Sequence, residues 1–505
     1  MKNIIERGVR APLESTFPPV TGPAWTSFAT GKNPGKTGVF CFMNRTTTAT
    51  YKTKPMDSAE FKQAGTFWDY LSDKGLKTGI WNYPRLYPPY PINGFMTGGF
   101  GCSPGDDFTY PCELKEKLLS VCGGYTITVP YTKSWYTHNP SRFIADAMKL
   151  LDQNEKALNY LLEQDLDLFT GVISVSDFAQ HYMWRFLDES HLLYKRSEAE
   201  KYKPAFLQIW KRIDGIVGNV LAKTSTDTDI FIVSDHGFGP HKQSFFINSW
   251  LESEGYLVRK KGSTTLAADL QSLASKTIRK FSRLSTRIGE TLTRRGSKHA
   301  RSSLNQIMMA KTVAFSNEHA TNSGQIYINR SPQSPLQSES EREQIKKEIA
   351  EKLKGTLGKL GMTSNIYYRE DIYSGEFVDL APDILFEIND FECSVHSKFT
   401  NSIYKNAPSN PNHSGAHKRN GIFIACGPDI RQGIGIENAK IYDVAPTILH
   451  ILGLPVPDDM DGRVLGEIFR EDSEPALRQV EYQEIDAERE KVRSKIRALK
   501  GFRKL

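Results

Sequence analysis

Ile230-Phe231-Ile232-Val233 runs without a break into Ser234-Asp235-His236-Gly237-Phe238-Gly239, and no other stretch constrains the fold as tightly. Four consecutive apolar residues suit a central parallel strand covered on both faces. In open α/β sheets, sites form just past the carboxyl ends of such strands. Asp235 and His236 stand at that place, and the glycines after them let the backbone turn tightly. Two adjacent metal-capable side chains there amount to half of a metal site. The competing reading is a capped loop, with the Asp bonding backbone amides and the His on the surface. The rest of the chain decides between them.

Other segments repeat the strand-and-helix alternation of a parallel sheet. Strands are expected at 77–81, 168–175, 325–329, 365–368, 384–388 and 421–425. Helices are expected at 67–74, 141–164, 202–223, 341–354 and 442–452, with a capping box of Ser340 and Glu343 opening the fourth. The first residues, 2–10, read as the end of a helix stopped by Gly8. Three prolines in Ser15–Pro23 forbid regular structure until a short helix at 24–30, so Thr21 sits on a loop just before a helix N-terminus. Free amides and the helix dipole favour an anion there.

Charge is uneven. Between Arg259 and Arg301 there are twelve Lys/Arg against Asp269 and Glu290, a local balance of +10. The whole chain carries +7, so the remainder is about three units acidic. The basicity belongs to one segment and does not indicate a nucleic-acid-binding body. That segment reads as a solvated helical hairpin on the rim, or else as a cap or a contact with an anionic membrane surface. The expected organisation is an α/β core in two parts, 1–255 and 306–470, interrupted by a basic helical insertion at 256–305 and followed by a charged helical tail at 471–505. No run of 18 apolar residues suggests a membrane span. Six scattered cysteines without a CxxC pair, and no secretory signal, fit a reducing, cytoplasmic location.

Two further clusters bear on the chemistry. His181 follows Asp177 by four residues, past the apolar strand at 168–175, so a helix starting nearby would turn both toward one ion. The alternative is Asp177 as a helix N-cap with His181 packed. His413 and His417 precede the strand at 421–425, and either one would complete an Asp/His/His set with room left for a substrate. His396 and the surface-looking His138, His191, His241 and His319 read as ordinary polar residues.

Thr21-Gly22-Pro23-Ala24-Trp25-Thr26-Ser27-Phe28-Ala29-Thr30-Gly31-Lys32-Asn33-Pro34-Gly35-Lys36-Thr37-Gly38 resembles the nucleophile segment of the alkaline phosphatase superfamily, in its type I phosphodiesterase/nucleotide pyrophosphatase branch. Asp177…His181, Asp235–Pro240, His417–Ala425, Asp443–Leu449 and Pro457–Arg463 follow in that family's order. The resemblance spans nearly the whole chain. It implies an alkaline-phosphatase-like fold, with a mostly parallel central sheet carrying helices on both faces. It also implies two divalent ions, expected to be zinc from the mixed Asp/His ligation. Asp177, His181 and His417 would hold one; Asp235, His236 and the nucleophile Thr21 would sit on the other. The implied activity is hydrolysis of a small phosphate ester through a phospho-threonine.

Three departures qualify the resemblance. The family opens with a strand ending in Asp-Gly, whose Asp is a ligand of the second metal, and this sequence shows no such strand. A catalytically impaired relic of the fold is therefore a second reading, and a phospho-head-group transferase a third. Sulfatases carry an Arg four residues after the nucleophile, where this chain has Trp25. Eukaryotic nucleotide pyrophosphatases carry an Asn three residues after it; here the residue is Ala24, so nucleotide specificity does not carry over.

Overall fold

The computed structural model describes residues 2–260, apart from 49, 104, 130–135 and 137–138, and residues 303–485, apart from 318–321 and 410–412. The expected insertion lies almost wholly outside the described residues, as does the tail beyond 485 and, with them, His138 and His319. What is described at the insertion's ends is a bridge pairing Arg259 with Ile307, so the chain returns to where it left.

Helix α1 (Lys2–Glu6) is followed by strand β1 (Val9–Glu14), where a helix end was expected. Its residues alternate, with Val9, Ala11 and Leu13 buried and Arg10 and Pro12 exposed, which is the period of a half-covered strand. Helix α2 (Thr21–Thr30) and α3 (Phe67–Asp73) come next, then β2 (Thr78–Tyr83), β3 (Gly94–Gly98), α4 (Pro140–Leu161) and β4 (Leu168–Gly171). After α5 (Val175–Met183) and α6 (Arg196–Lys223), the strand that opens the argument is β5 (Ile230–Val233). The glycines after it continue as β6 (Gly237–Pro240), and β7 (Gln243–Phe246) and α7 (Ile247–Ser253) follow. Beyond the insertion lie β8 (Ser323–Ile328), α8 (Glu339–Lys359), β9 (Ser364–Tyr368), β10 (Ile384–Ile388) and β11 (Cys393–His396). The last elements used below are β12 (Gly415–Lys418), β13 (Asn420–Cys426) and α9 (Val444–Ile451).

The architecture is mixed α/β, but the expected single, mostly parallel sheet is not what the strands form. β1 lies between β13 and the short strand at Ile434–Gly435, and β5 flanks β13 on its other side. β13 is antiparallel to both β1 and β5. A separate group has β2 between β3 and β4, with all three parallel. A third, antiparallel group places β10 between β8 and β9. An apolar run such as Gly421–Ala425 reads the same in either direction; its short turn from β12, not its composition, sets its orientation.

Helices do cover both faces. Neighbouring residues Ile80 and Trp81 on β2 belong to two different buried clusters. The first cluster holds α2, α3 and α9 through Trp25, Phe28, Trp68 and Leu449. The second holds α4, α5 and α6 through Phe143, Leu151, Phe178 and Ile209. On α4, Phe143, Ala147, Leu150, Leu151, Leu158 and Leu161 form one buried stripe, and each large member stabilises the fold by about 1.5–3 kcal/mol. Asn139 caps that helix by accepting the Arg142 N–H at 3.1 Å. The capping box of α8 is Ser338 with Glu341, two residues earlier than expected, and the helix runs on through Gly355. The described part of the expected tail, 471–485, holds a short helix, Glu474–Leu477, and a short strand, Tyr482–Gln483, beside Val456–Pro457.

Candidate metal centre

Helix α2 begins at Thr21 itself, three residues earlier than expected. Pro23 falls in the first turn, where an N–H would have no intrahelical partner in any case. The C-terminus of α2 is fixed by Gly31 in the left-handed region at φ 69°. Two of the singled-out motifs meet here and act as a clamp: Lys32 pairs with Asp459 at 2.5 Å and Lys36 with Asp461 at 2.9 Å. Asn33 donates to Asp461 from both its backbone N–H and its side chain, at 2.8 and 2.9 Å. Gly31–Lys36 and Asp459–Asp461 thus hold the helix that carries Thr21.

Asp177 lies inside the first turn of α5 rather than at its N-cap, with His181 one turn on. Asp177, His181 and His417 present ligand atoms that all lie within 4.8 Å of one another. Asp177 Oδ1 is 3.6 Å from His181 Nε2 and 3.4 Å from His417 Nε2, and the two Nε2 atoms are 3.0 Å apart. Backbone carbonyls aim both rings. His181 Nδ1 donates to Gly415 O and His417 Nδ1 to Pro19 O, each at 2.9 Å. A carbonyl only accepts, so Nδ1 carries the proton and Nε2 offers its lone pair in both rings. Of the competing pair, it is His417 whose ligand atom joins the group of Asp177 and His181 that could hold an ion, while the His413 ring packs 4.8 Å from that of His181.

His236 joins them. Its ring stacks on that of His417 at 3.5 Å, and its Nδ1 donates to Gly237 O at 3.2 Å. Its Nε2 is 3.2 Å from Asp235 Oδ2 and 3.9 Å from Asp177 Oδ1. Both His236 Nε2 and Asp177 Oδ1 are buried without a hydrogen-bond partner among the described residues. Phe238, which the sequence did not single out, lays its ring 4.8, 5.1 and 5.6 Å from those of His181, His417 and His236.

Burial sets the charge state. It lowers His181 and His236 to about 4 and also lowers His417, so the imidazoles stay neutral near pH 7. Burial alone would raise Asp177, but the surrounding His181, His417 and His236 pull it below the usual carboxylate range. Asp235 is pushed up to about 7 by burial and by the Asp177 charge. Lone pairs of two neutral imidazoles facing each other at 3.0 Å repel, and a carboxylate oxygen beside them adds negative charge. A cation between them removes the conflict. Four ligands at zinc–nitrogen distance sit roughly 3.3 Å apart on a tetrahedron, close to the spacings here. The donor set fits zinc.

Thr21, Asp177, Asp235, His236 and His417 line one cavity of about 1480 Å³ that runs along β4 and β5. Asp235 is tied in by Ser15, whose hydroxyl donates to its backbone carbonyl at 2.5 Å. The supposedly surface His191 and His241 are buried: His191 Nε2 bonds His241 O at 2.9 Å, and His241 Nε2 bonds Ser394 Oγ at 2.8 Å. Their partners are protein groups outside the cluster. All six cysteines are free thiols, and no described helix is long and apolar enough to cross a membrane.

The sequence matches the family model described as type I phosphodiesterase/nucleotide pyrophosphatase over residues 1–418. No curated protein matches it. Among solved structures, human ectonucleotide pyrophosphatase/phosphodiesterase 5 is similar with a TM-score of 0.48 at 12% identity, over 93% of each chain. The murine protein of that name gives 0.45 at 10%, over 93% of this chain and 94% of that one. An inactive form of the murine protein in complex with AMP gives 0.43 at 11%, over 90% and 89%.

Proposed function

Because the chain belongs to the type I phosphodiesterase/nucleotide pyrophosphatase family, we propose that it is a metal-dependent phosphoric ester hydrolase acting through a phospho-threonine at Thr21. The observation that carries this reading is the convergence of neutral imidazole lone pairs on Asp177, in the cavity that Thr21 lines at the start of α2. Asp177, His181 and His417 would hold one zinc ion; Asp235, His236 and Thr21 would hold a second. Two such ions would supply Lewis-acid stabilisation of the attacking and leaving oxygens and would lower the pKa of a bound hydroxyl.

The chain's own groups do the rest. Thr21 opens helix α2, and the first-turn amides of Thr21 and Gly22 would receive the phosphoryl oxygens. The Thr21 oxygen would lose its proton and form the new bond to phosphorus as one ester oxygen departs with its alcohol, and water would then cleave the threonine–phosphorus bond, releasing a phosphomonoester from a diester substrate. The carbonyls of Gly415 and Pro19 keep His181 and His417 in the ligating tautomer. The substrate is a small phosphate ester, with a phosphodiester favoured by the family. Ala24, three residues after Thr21, gives no reason to restrict it to nucleotides.

The test is turnover of bis(4-nitrophenyl) phosphate by the zinc-loaded chain. Thr21→Ala should abolish turnover while the ion proposed for Asp177, His181 and His417 is retained. An unchanged rate in this variant would refute the assignment of Thr21.

A further inference from the structure

The geometry points to a polar arm of the cavity, walled by Asn322, Ser323, Ser394, His396, His241 and His413, as a subsite for the alcohol of a phosphate ester, and to a neutral polyhydroxyl compound as that alcohol. All six residues line the cavity that Thr21 and Asp177 line, and none belongs to β4 or β5. Asn322 and Ser323 stand at the start of β8, Ser394 and His396 on β11, His241 between β6 and β7, and His413 just before β12. The arm meets the metal centre at two of its histidines. Asn322 Nδ2 donates to His417 O at 3.0 Å, and the His413 ring lies 4.8 Å from that of His181. This wall is therefore next to any phosphate held at the centre. The inference rests on the phosphoric ester chemistry proposed above and adds which alcohol the ester carries.

Charge is what this arm lacks. Among the described residues, no Lys or Arg lines any part of the cavity. Apart from Asp177 and Asp235, the acids that line it are Asp167, Asp227, Asp229 and Asp429, which adjoin β4, β5 and β13 rather than the arm. Burial lowers His241 to about 4 and His396 to about 3 and also lowers His413, so the imidazoles are neutral near pH 7. A second phosphate or a carboxylate on the substrate would find no cation in the arm, and an ammonium group no carboxylate.

Hydroxyl groups are what the wall can bind. Ser394 Oγ lies 2.8 Å from both His241 Nε2 and His396 Nε2, and Ser409 Oγ is 2.8 Å from the latter. A neutral His241 ring has one proton. On Nδ1 it serves the shorter carbonyl contact, 2.8 Å to His413 O against 3.1 Å from Nε2 to Gln243 O, and leaves Nε2 to accept the Ser394 hydroxyl. Ser394 Oγ then offers lone pairs. So does Asn322 Oδ1, which accepts no hydrogen bond among the described residues. An alkyl group would cover these acceptors without satisfying them, at a cost that hydroxyl donors avoid. Ser394, His241 and His396 are buried and hold one another, so the wall is set before a ligand arrives.

The test is calorimetric binding to the zinc-loaded 505-residue chain, using methylphosphonate monoesters that keep the anionic phosphoryl group and resist turnover. Two matched pairs are compared, glyceryl with propyl and myo-inositol with cyclohexyl; each pair shares a carbon skeleton and differs only in hydroxyls. The glyceryl or the inositol ester should bind roughly tenfold or more tightly than its partner, and the pair that shows this says whether the alcohol is open-chain or a ring. Asn322→Leu and Ser394→Ala should each bring that ratio toward one. The paired esters carry the same phosphonate, so a changed metal affinity moves both alike and leaves the ratio. Equal affinities within both pairs, tighter binding of the propyl or cyclohexyl ester, a preference that survives both substitutions, or no binding of any ester overturns the proposal. Turnover of bis(4-nitrophenyl) phosphate, which carries no polyol, is measured in parallel. Turnover with equal affinities refutes the subsite alone, and a hydroxyl preference without turnover refutes the hydrolase reading alone.

Discussion

Asp177→Asn isolates the metal centre most sharply, because one oxygen serves the whole cluster. Asp177 Oδ1 lies 3.4 Å from His417 Nε2, 3.6 Å from His181 Nε2 and 3.9 Å from His236 Nε2. It is the single anionic member of the triad with His181 and His417. The substitution keeps the side chain's volume and removes its charge. Complete protein zinc sites bind with roughly 10–16 kcal/mol, so one ligand among four carries about 3 kcal/mol or more. That is a loss of about a hundredfold or more in zinc affinity. The assay is zinc titration of chelator-stripped protein against a chromophoric competitor, with far-UV circular dichroism to verify that the fold persists. A folded Asp177→Asn protein with unchanged zinc affinity would refute the ligand assignment and, with it, the argument from facing lone pairs.

Two other substitutions probe what positions the site and what burial does elsewhere. A Cβ at Gly415 would sit 2.3 Å from the Gln180 carbonyl oxygen, so Gly415→Ala must push β12 off α5 and disturb the carbonyl that orients His181. Zinc affinity should fall about 10–100-fold in the same titration, as for other losses of an orienting partner, and an unchanged affinity would remove Gly415 O from the design. Asp229 is pushed up to about 6, chiefly by burial and against the hydrogen bond it accepts from Asp429 N–H. Its folded-state pKa exceeds its unfolded one, so the native state binds the proton more tightly and stability declines as pH rises from about 4 through about 6. Asp229→Asn should therefore stabilise the protein by about 2 kcal/mol at pH 7 and by almost nothing at pH 4, read from urea unfolding; a gain equal at both pH values would contradict the sign.

The parts of the site that the sequence revealed are those whose geometry is local. Asp177 and His181 share a helix face because they are one turn apart, and Asp235-His236 follow a strand end, so their placement needs no knowledge of the rest of the chain. Where two readings of one pattern were equally good, the sequence could not choose. Ser338-Glu339-Ser340-Glu341-Arg342-Glu343 contains two overlapping capping boxes, and the earlier one forms, with the Glu341 carboxylate accepting the Ser338 N–H at 3.0 Å. Val9–Glu14 carried a clear two-residue alternation, but Gly8 read as a helix stop and Pro12 obscured the strand. Position 12 faces Ile422, itself 46% exposed, so the missing N–H and the ring are tolerated there.

What the sequence hid is non-local. Gly415 O, Pro19 O and the Phe238 ring act on histidines that come from other elements, and no spacing rule links residue 19 to residue 417. The same holds for strand direction, which the connections decide. This division has a physical consequence for the metal centre. The residues proposed to hold the ion come from α5, from the end of β5 and from β12, and a cation that binds the assembled set but not the unfolded chain would stabilise the fold that brings these elements together. Repulsion between the His181 and His417 lone pairs at 3.0 Å would be the cost of holding that arrangement ready, and a bound ion would relieve it. Preorganisation of this kind requires rigid supports. The carbonyls of Gly415 and Pro19 supply them within the cluster, and the clamp of Lys32 and Lys36 on Asp459 and Asp461 supplies the support for the helix that begins at Thr21.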